Sequence, residues 1–115
     1  MEEKNETEKL KQNSYFYVLW CRDNSFYAGY TTDLKRREFE HNEGTGAKYT
    51  RPKHRRPLQM IYAETFETRS DAMKAEAAFK KLVRPQKEAY LRENDVVFPL
   101  SKNRGCVIKE RGKIL

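Results

Sequence analysis

The first apolar segments of the chain have the pattern of a β-hairpin. Residues 15 to 21 (YFYVLWC) are dense in the aromatic and branched side chains that favour strands. Residues 26 to 30 (FYAGY) repeat this character, and residues 22 to 25 (RDNS) between them are typical of a turn. The pattern therefore predicts two antiparallel strands joined by a short turn.

A helix is predicted directly after this hairpin. A threonine N-cap followed by Asp33 would start it, because an acid in the first turn complements the helix dipole. Gly44 and Gly46 predict its end at about Asn42 or Glu43.

The second half of the chain predicts a further strand. Residues 58 to 66 alternate between two sets of side chains, with Leu58, Met60 and Tyr62 on one side and the intervening residues on the other. This period of two suits a half-buried strand.

Two more helices are predicted after that strand. Residues 68 to 71 (TRSD) resemble a capping box and open a helix that continues to about Val83. Pro85 starts another, from Gln86 to Glu93. The segment 96 to 98 (VVF) suits an edge strand, and the basic end of the chain is expected to be loose.

The order β-β-α-β-α-α predicts an α/β (α+β) domain in which helices cover a small, mainly antiparallel sheet. We assign residues 1 to 13 to an acidic leader, residues 14 to 93 to the folded domain, and residues 94 to 115 to a basic tail.

Length and composition narrow the class of protein. The chain has 115 residues, enough for one domain, and 24 Lys and Arg against 17 Asp and Glu give a net charge of +7. The longest apolar run, residues 15 to 21, is too short to span a membrane, and the polar N-terminus lacks a signal sequence's apolar segment. We therefore expect a cytoplasmic protein with Cys21 and Cys106 as free thiols.

The positive charge is concentrated in one segment, residues 45 to 57, here called the basic loop. It contains five Lys and Arg residues, one His and no acid. Glycine, threonine and proline accompany these cations, a composition that suits the phosphates of a nucleic acid. The alternative is that the charge only keeps a small protein soluble.

Glu76 is a carboxylate within an otherwise apolar stripe. On the second predicted helix Ala72, Ala75, Phe79, Leu82 and Val83 have the spacing of a buried face, and Glu76 points along it. A carboxylate there must be paired, protonated or bound to a metal. The alternative places Glu76 at the edge of the stripe, paired with Lys80 or Lys74.

The first predicted helix carries a second polar anomaly. Leu34, Arg37 and His41 share one face, and Arg37 and His41 lie one turn apart. They could converge on one anion, because an arginine fork binds two phosphate oxygens and a histidine can donate a hydrogen bond. The alternative is a solvated basic face with His41 favoured at the helix end by the dipole.

Tyrosines are concentrated in the predicted hairpin, among them Tyr17 and Tyr27. Such tyrosines commonly pack their rings in the core and keep the hydroxyl in water. A phenol aimed at a phosphate site could instead orient or deprotonate a water molecule.

Together these residues resemble the GIY-YIG endonuclease superfamily, in particular its small single-domain bacterial branch. The resemblance covers about residues 14 to 92. It rests on Tyr15-Phe16-Tyr17, Tyr27-Ala28-Gly29, Arg37-x-x-x-His41 and Glu76, within the stretches WCRDNSFYAGYTTDLKRREFEHN and GTGAKYT. Tyr15, Phe16 and Ala28 depart from the usual Gly, Ile and Ile at apolar or packing positions.

The resemblance implies a three-stranded antiparallel sheet flanked by helices and metal-dependent hydrolysis of a nucleic-acid phosphodiester. It implies that Glu76 binds one divalent cation, Mg²⁺ or Mn²⁺, that Tyr27 activates or positions the attacking water, and that Arg37 holds the scissile phosphate. Tyr17 would form a hydrogen bond near the water or the phosphate. His41 would bind phosphate or relay a proton.

The resemblance also implies a surface that binds the rest of the nucleic acid. Gly29 would let the strand pass close to the substrate backbone. The flanking phosphates would be bound by the basic loop through Lys48, Tyr49, Arg51, Lys53, Arg55 and Arg56.

The leading interpretation is thus a metal-dependent endonuclease that acts on DNA, with branched or damaged structures in repair or recombination as candidate substrates. RNA stays open as a substrate, a protein partner could supply specificity, and the sequence does not fix an oligomeric state. The alternative is a nucleic-acid-binding module of the same fold that does not cut. A third interpretation is an adaptor that docks another protein through the edge of its sheet.

Overall fold

The computed structural model describes residues 13 to 111, which form one sheet with three α-helices. In chain order the elements are β1 (Ser14–Trp20), β2 (Phe26–Thr31), α1 (Leu34–Asn42), a 3-10 turn (Lys53–Arg55), β3 (Gln59–Phe66), α2 (Arg69–Lys80), α3 (Arg84–Glu93) and β4 (Val107–Glu110). The predicted order of the first six strands and helices is confirmed, as is the mixed α and β class.

The sheet has four strands in the order β2-β1-β3-β4, and this corrects the prediction of three. β1 pairs antiparallel with both β2 and β3, whereas β4 pairs parallel with β3, with Val107 opposite Tyr62. The expected edge strand at residues 96 to 98 does not form, because Val96 turns into the core. The expectation of a loose basic end is wrong for β4, whose backbone completes the ladder of β3.

A β-bulge interrupts the alternation that the sequence suggested for β3. Val18 lies opposite Tyr62 but Leu19 lies opposite Met60, so Ile61 is the extra residue. Met60 therefore packs on one face of the sheet, and Tyr62 packs on the other together with Ile61. The prediction that Met60 and Tyr62 share a face is wrong for this reason.

Side-chain caps set the starts of α1 and α2. Asp33, rather than a threonine, is the N-cap of α1, and its carboxylate accepts a hydrogen bond from the amide of Arg36. The predicted Thr68 cap of α2 is confirmed, since its hydroxyl accepts from the amide of Asp71. α2 ends at Lys80, short of the expected Val83, which is exposed instead of buried.

Each face of the sheet covers its own apolar cluster. Phe16, Val18 and Phe79 belong to the cluster beneath α2 and α3, whereas Tyr17 and Leu19 belong to the cluster on the opposite face. Both predicted free thiols are confirmed. Among residues 13 to 111 no helix has the length and apolar character needed to cross a membrane.

Candidate active site

A chain of hydrogen bonds links β1 to α1 and the basic loop. The Tyr17 hydroxyl lies 2.8 Å from Nε2 of His41, and Nδ1 of His41 lies 2.7 Å from Oγ1 of Thr50. Thr50 donates its only hydroxyl proton to the carbonyl of Ala47, so its oxygen accepts a hydrogen bond from Nδ1 of the histidine. Nε2 of a neutral imidazole is then the acceptor, and Tyr17 donates to it.

Burial keeps both members of this pair neutral. The side chains of Tyr17 and His41 have 1% and 0% of their surface exposed. Burial, with the neighbouring charge of Arg37, lowers the pKa of His41 to about 4, and burial raises the pKa of the Tyr17 hydroxyl well above its ordinary value. The direct contacts of these two side chains with a phosphate or a water that the resemblance implied stay predictions, and they would require the surrounding protein atoms to give access.

Arg37 is the solvent-facing end of this chain. Its Nε donates to the Tyr17 hydroxyl at 3.3 Å, and its two terminal nitrogens donate to Glu40 and to the carbonyl of Gly46 at 2.9 and 3.1 Å. A guanidinium has five N–H groups, so two remain available, and 27% of the side chain is exposed. Arg37 is thus held rigidly while it keeps donors for an anion.

Gly29 makes room for Tyr17. The two residues face each other across β1 and β2, and a Cβ on Gly29 would lie 2.4 Å from the Tyr17 hydroxyl oxygen. The tyrosine side chain therefore crosses the edge strand where only glycine fits. Gly29 is itself buried, and its structural need is this contact within the protein, whereas the expected approach of a substrate backbone stays a prediction.

Side chains without a sequence signal of their own fix α1 against the sheet. The Asn42 amide exchanges two hydrogen bonds with the backbone of Leu58, at 2.8 and 3.1 Å. The Glu38 carboxylate accepts from the amide of Met60 at 2.8 Å. Thr50 completes the set as the buried partner of His41. None of these partnerships could be predicted, because a polar residue in a loop or on a helix does not indicate which distant backbone group it will bind.

Tyr27 lies at the centre of a stack of rings and cations. Its ring lies 5.3 Å from that of His41 and 5.8 Å from that of Tyr49, the latter nearly parallel at 19°. On another side the Lys80 ammonium lies 5.2 Å from the ring centre. The Tyr27 ring is thus fixed between the basic loop and α2, and among the described residues none forms a hydrogen bond with its hydroxyl.

Glu76 reaches the same region from α2. Its carboxylate lies 3.0 Å from the Lys80 ammonium, and 15% of its side chain is exposed. Its charge also contributes to the raised pKa of Tyr17, after the larger effect of burial. The expected pairing with Lys80 is therefore present, and the Lys80 ammonium of this pair lies over the Tyr27 ring.

The donor set around Glu76 is small. Within residues 13 to 111 no three His, Cys, Asp or Glu side chains come together in a group that could hold a metal ion. One carboxylate, already beside a cation, is compatible with a hydrated ion such as Mg²⁺, which keeps most of its water ligands. It is not compatible with zinc, which takes three or four protein ligands.

The basic loop divides into structural and exposed cations. Arg55 bonds Asp23 and the carbonyl of Tyr49, and its guanidinium covers the Tyr49 ring at 3.9 Å. Arg56 donates to the carbonyls of Asn42 and Arg51, and its Nε is buried without a partner. These two arginines fold the loop. The exposed cations are Lys48, Arg51 and Lys53.

Comparisons with known proteins find a matching family model and several similar proteins. Residues 13–89 match the family model described as the GIY-YIG catalytic domain. A UPF0213 protein from Enterococcus faecalis is 67% identical over 82 residues, which is 71% of this chain and 93% of that protein. The UPF0213 protein YazA from Bacillus subtilis is 57% identical over 81 residues, 70% of this chain and 80% of that protein.

A solved structure supports the same relationship. The solution NMR structure of the protein EF2693 from E. faecalis has 59% sequence identity and a TM-score of 0.53. The match covers 81% of this chain and 97% of that one.

Proposed function

This chain belongs to the GIY-YIG family of catalytic domains, and we propose that it is a metal-dependent endonuclease that hydrolyses phosphodiester bonds in DNA. We place it in the cytoplasm, with branched or damaged DNA in repair or recombination as its candidate substrates. The observations that carry the proposal are three linked contacts. Arg37 bonds the Tyr17 hydroxyl that pairs with His41, the Tyr27 ring packs against His41, and Glu76 pairs with the lysine whose ammonium lies over the Tyr27 ring.

The proposed reaction is attack of a water oxygen on phosphorus with cleavage of one P–O ester bond. Arg37 holds the scissile phosphate through its two remaining N–H groups and offsets the charge that develops in the transition state. Tyr27 orients the water, since its hydroxyl is not committed to another described residue. Once its own proton has passed to solvent, the Tyr27 phenolate would accept a proton from the water, and the ester oxygen that leaves would take a proton from solvent. The Tyr17–His41 pair keeps Arg37 in place.

Glu76 is the residue that would hold the divalent cation, Mg²⁺ or Mn²⁺. When bound, such an ion stabilises negative charge on the phosphate and its leaving oxygen. A carboxylate without a cation would repel a nucleic acid, so an acid paired with the lysine over the Tyr27 ring favours an enzyme over a binding module. Lys80, the present partner of Glu76, supplies a positive charge to the same carboxylate.

Cleavage of end-labelled oligonucleotides tests the proposal. Single-stranded, duplex, flap and junction DNA, with RNA counterparts, are incubated with Mg²⁺ or Mn²⁺ and with EDTA. We expect cleavage only with the metal and its loss in Glu76→Gln, while binding at low salt is kept. Glu88→Gln is the matched control, because Glu88 is a carboxylate on α3 that pairs with Arg84.

The same assay separates the competing interpretations. Binding to every DNA without cleavage of any would support the binding module and overturn the enzyme. Equal loss of binding and cleavage in Glu76→Gln would argue against a metal role for this carboxylate. An interaction with nucleic acid that does not weaken as salt rises would point away from phosphate recognition altogether.

A further inference from the structure

A second cationic depression lies beside the candidate active site. This groove runs between the end of β2 and the first turns of α1 and α2, and its charged and hydroxyl-bearing lining includes Tyr30, Thr32, Arg36, Arg37, Glu40 and Arg69. Arg37 belongs both to the groove and to the hydrogen-bonded chain that runs through Tyr17 and His41 to Thr50. The groove therefore begins where the proposed scissile phosphate would lie.

The groove is cationic after its internal pairs are counted. Its lining contains three arginines and one carboxylate, Glu40. Glu40 pairs with Arg37 at 2.9 Å and with Arg36 at 3.7 Å. Arg36 still exposes 58% of its side chain. The charged residues that line the groove thus carry a net charge of +2, and this balance favours an anion.

The neutral hydroxyl of Tyr30 orients the Arg69 side chain in the groove. Its guanidinium donates to the Tyr30 hydroxyl at 3.0 Å and lies 5.4 Å from the centre of that ring. An exposed arginine normally loses rotamer freedom when it binds, and a tyrosine that orients it reduces this loss without neutralising its charge.

The positions of these arginines in their helices are unfavourable for folding alone. Arg69 is the first residue of α2. Arg36 lies in the first turn of α1, and that turn contains no acidic residue. Cations are disfavoured at helix N-termini, where the dipole is positive, so the interaction of these arginines with the helix dipoles opposes folding. The same dipoles reinforce the attraction of both side chains for a phosphate.

The groove and the basic loop lie towards opposite ends of β2. Tyr27 contacts Tyr49 of the loop, whereas Tyr30 and Thr32 line the groove. Tyr30 lies three residue steps along the strand from Tyr27, a distance of about 10 Å. Gly29 lies between them with the Tyr17 hydroxyl against it, and Arg37 donates to that hydroxyl. A nucleic-acid strand laid along this edge would meet the loop, then the reacting centre, then the groove.

We propose that this groove binds the backbone phosphate next to the scissile one, through Arg36 and Arg69. The inference rests on the proposed function for the identity of the ligand, a phosphodiester of nucleic acid. These two arginines would then increase the affinity for the strand and would also determine which of its phosphodiester bonds lies at Arg37.

Binding to oligonucleotides that carry one uncharged methylphosphonate tests the proposal. The neutral linkage is moved one position at a time along a DNA that the wild type binds, and affinity is measured without divalent metal. We expect one position next to the cleavage site to weaken wild-type binding. The variants Arg36→Gln and Arg69→Gln should each weaken binding of the unmodified DNA by about threefold to tenfold and no longer respond to that linkage.

Lys74→Gln is the control, because Lys74 is an exposed cation on α2 outside the groove. It should keep the wild-type response to every linkage, and equal thermal unfolding of all variants excludes misfolding. The proposed phosphate site would be overturned if both arginine variants bound DNA with wild-type affinity. It would also be overturned if their affinity fell but their response to the neutral linkage stayed that of the wild type.

Cleavage of the same DNA with Mg²⁺ separates this inference from the proposed function. Cleavage by the wild type together with unaltered binding in Arg69→Gln and Arg36→Gln would overturn the groove alone. The expected response to the neutral linkage without any cleavage would support the groove as a phosphate site and overturn the hydrolase.

Discussion

The hydroxyl of Tyr17 donates to Nε2 of His41 across 2.8 Å, and this bond fixes a histidine that has no contact with solvent. Thr50 accepts from the other ring nitrogen, so the imidazole is neutral and in one tautomer. Arg37 donates to the same tyrosine oxygen. The arginine that we assign to the scissile phosphate is thereby tied to a buried, uncharged support.

This support predicts a loss of stability in mild acid. The pKa of His41 is lowered from 6.5 to about 4, so between these pH values the histidine is protonated in the unfolded chain and neutral in the folded chain. The contribution of neutral His41 to the free energy of unfolding is complete above pH 6.5 and is lost as the pH falls towards 4. With about 1.4 kcal/mol for each pKa unit, the loss is about 3 kcal/mol.

Urea unfolding at a series of pH values measures this effect. His41→Gln should flatten the profile between pH 6.5 and 4, whereas His54→Gln, at an exposed site, should keep the wild-type slope. NMR titration of the wild type gives a second readout that needs no variant. A folded-state pKa near 6.5 for His41 would contradict the hydrogen-bonded arrangement described here.

Gly29→Ala should damage both the fold and the proposed activity. The new methyl carbon would lie 2.4 Å from the Tyr17 hydroxyl oxygen, so the tyrosine must move and release Arg37. We expect destabilisation by about 1–3 kcal/mol and a loss of cleavage by about 100-fold. Gly105→Ala is the matched control, since a Cβ there meets no atom within 4 Å. Equal behaviour of the two variants in unfolding and cleavage would refute the steric role of Gly29.

Tyr27→Phe should separate chemistry from stability. The substitution keeps the ring between Tyr49 and Lys80 and removes a hydroxyl that no described residue binds. We expect a thermal midpoint close to that of the wild type and cleavage reduced by about 100- to 10,000-fold, the usual contribution of a general acid or base. Wild-type cleavage rates in this variant would remove Tyr27 from the proposed mechanism.

The cations of the basic loop should fall into two functional groups. Replacement of Lys48, Arg51 and Lys53 by glutamine should weaken DNA binding for all sequences alike and lower the salt slope by about one for each phosphate that the loop no longer binds. Arg55→Gln should instead lower the free energy of unfolding by about 1–2 kcal/mol, because it removes bonds to Asp23 and to the Tyr49 carbonyl. Salt-dependent binding and denaturant unfolding of both variants measure the difference, and identical effects of the two replacements would contradict the division.

Local patterns in the sequence were sufficient for the parts of the fold that depend on short-range chemistry. The hairpin and the Thr68 cap of α2 follow from strand-forming residues, turn residues and a hydroxyl before a helix. Arg37 and His41 could be placed on one face of α1 because the period of a helix is fixed.

Features that depend on distant partners could not be predicted in this way. β4 is a strand because β3 offers it a parallel partner, and its four residues carry little pattern of their own. The extra residue at Ile61 reverses the faces of β3, and this is visible only in the register with β1. The ion pair of Arg55 could not be predicted either, because its partner Asp23 is 32 residues away in the chain.

The central claim is that the Glu76 carboxylate holds a divalent cation on the side that faces Tyr27 and Arg37. A crystal of the protein soaked in Mn²⁺, with anomalous diffraction recorded, tests it most directly. We predict an anomalous peak about 2.1 Å from a carboxylate oxygen of Glu76, with the Lys80 ammonium displaced from it, and no peak in Glu76→Gln. Crystals in which Lys80 still bonds Glu76 and no anomalous peak lies beside that carboxylate would contradict the claim.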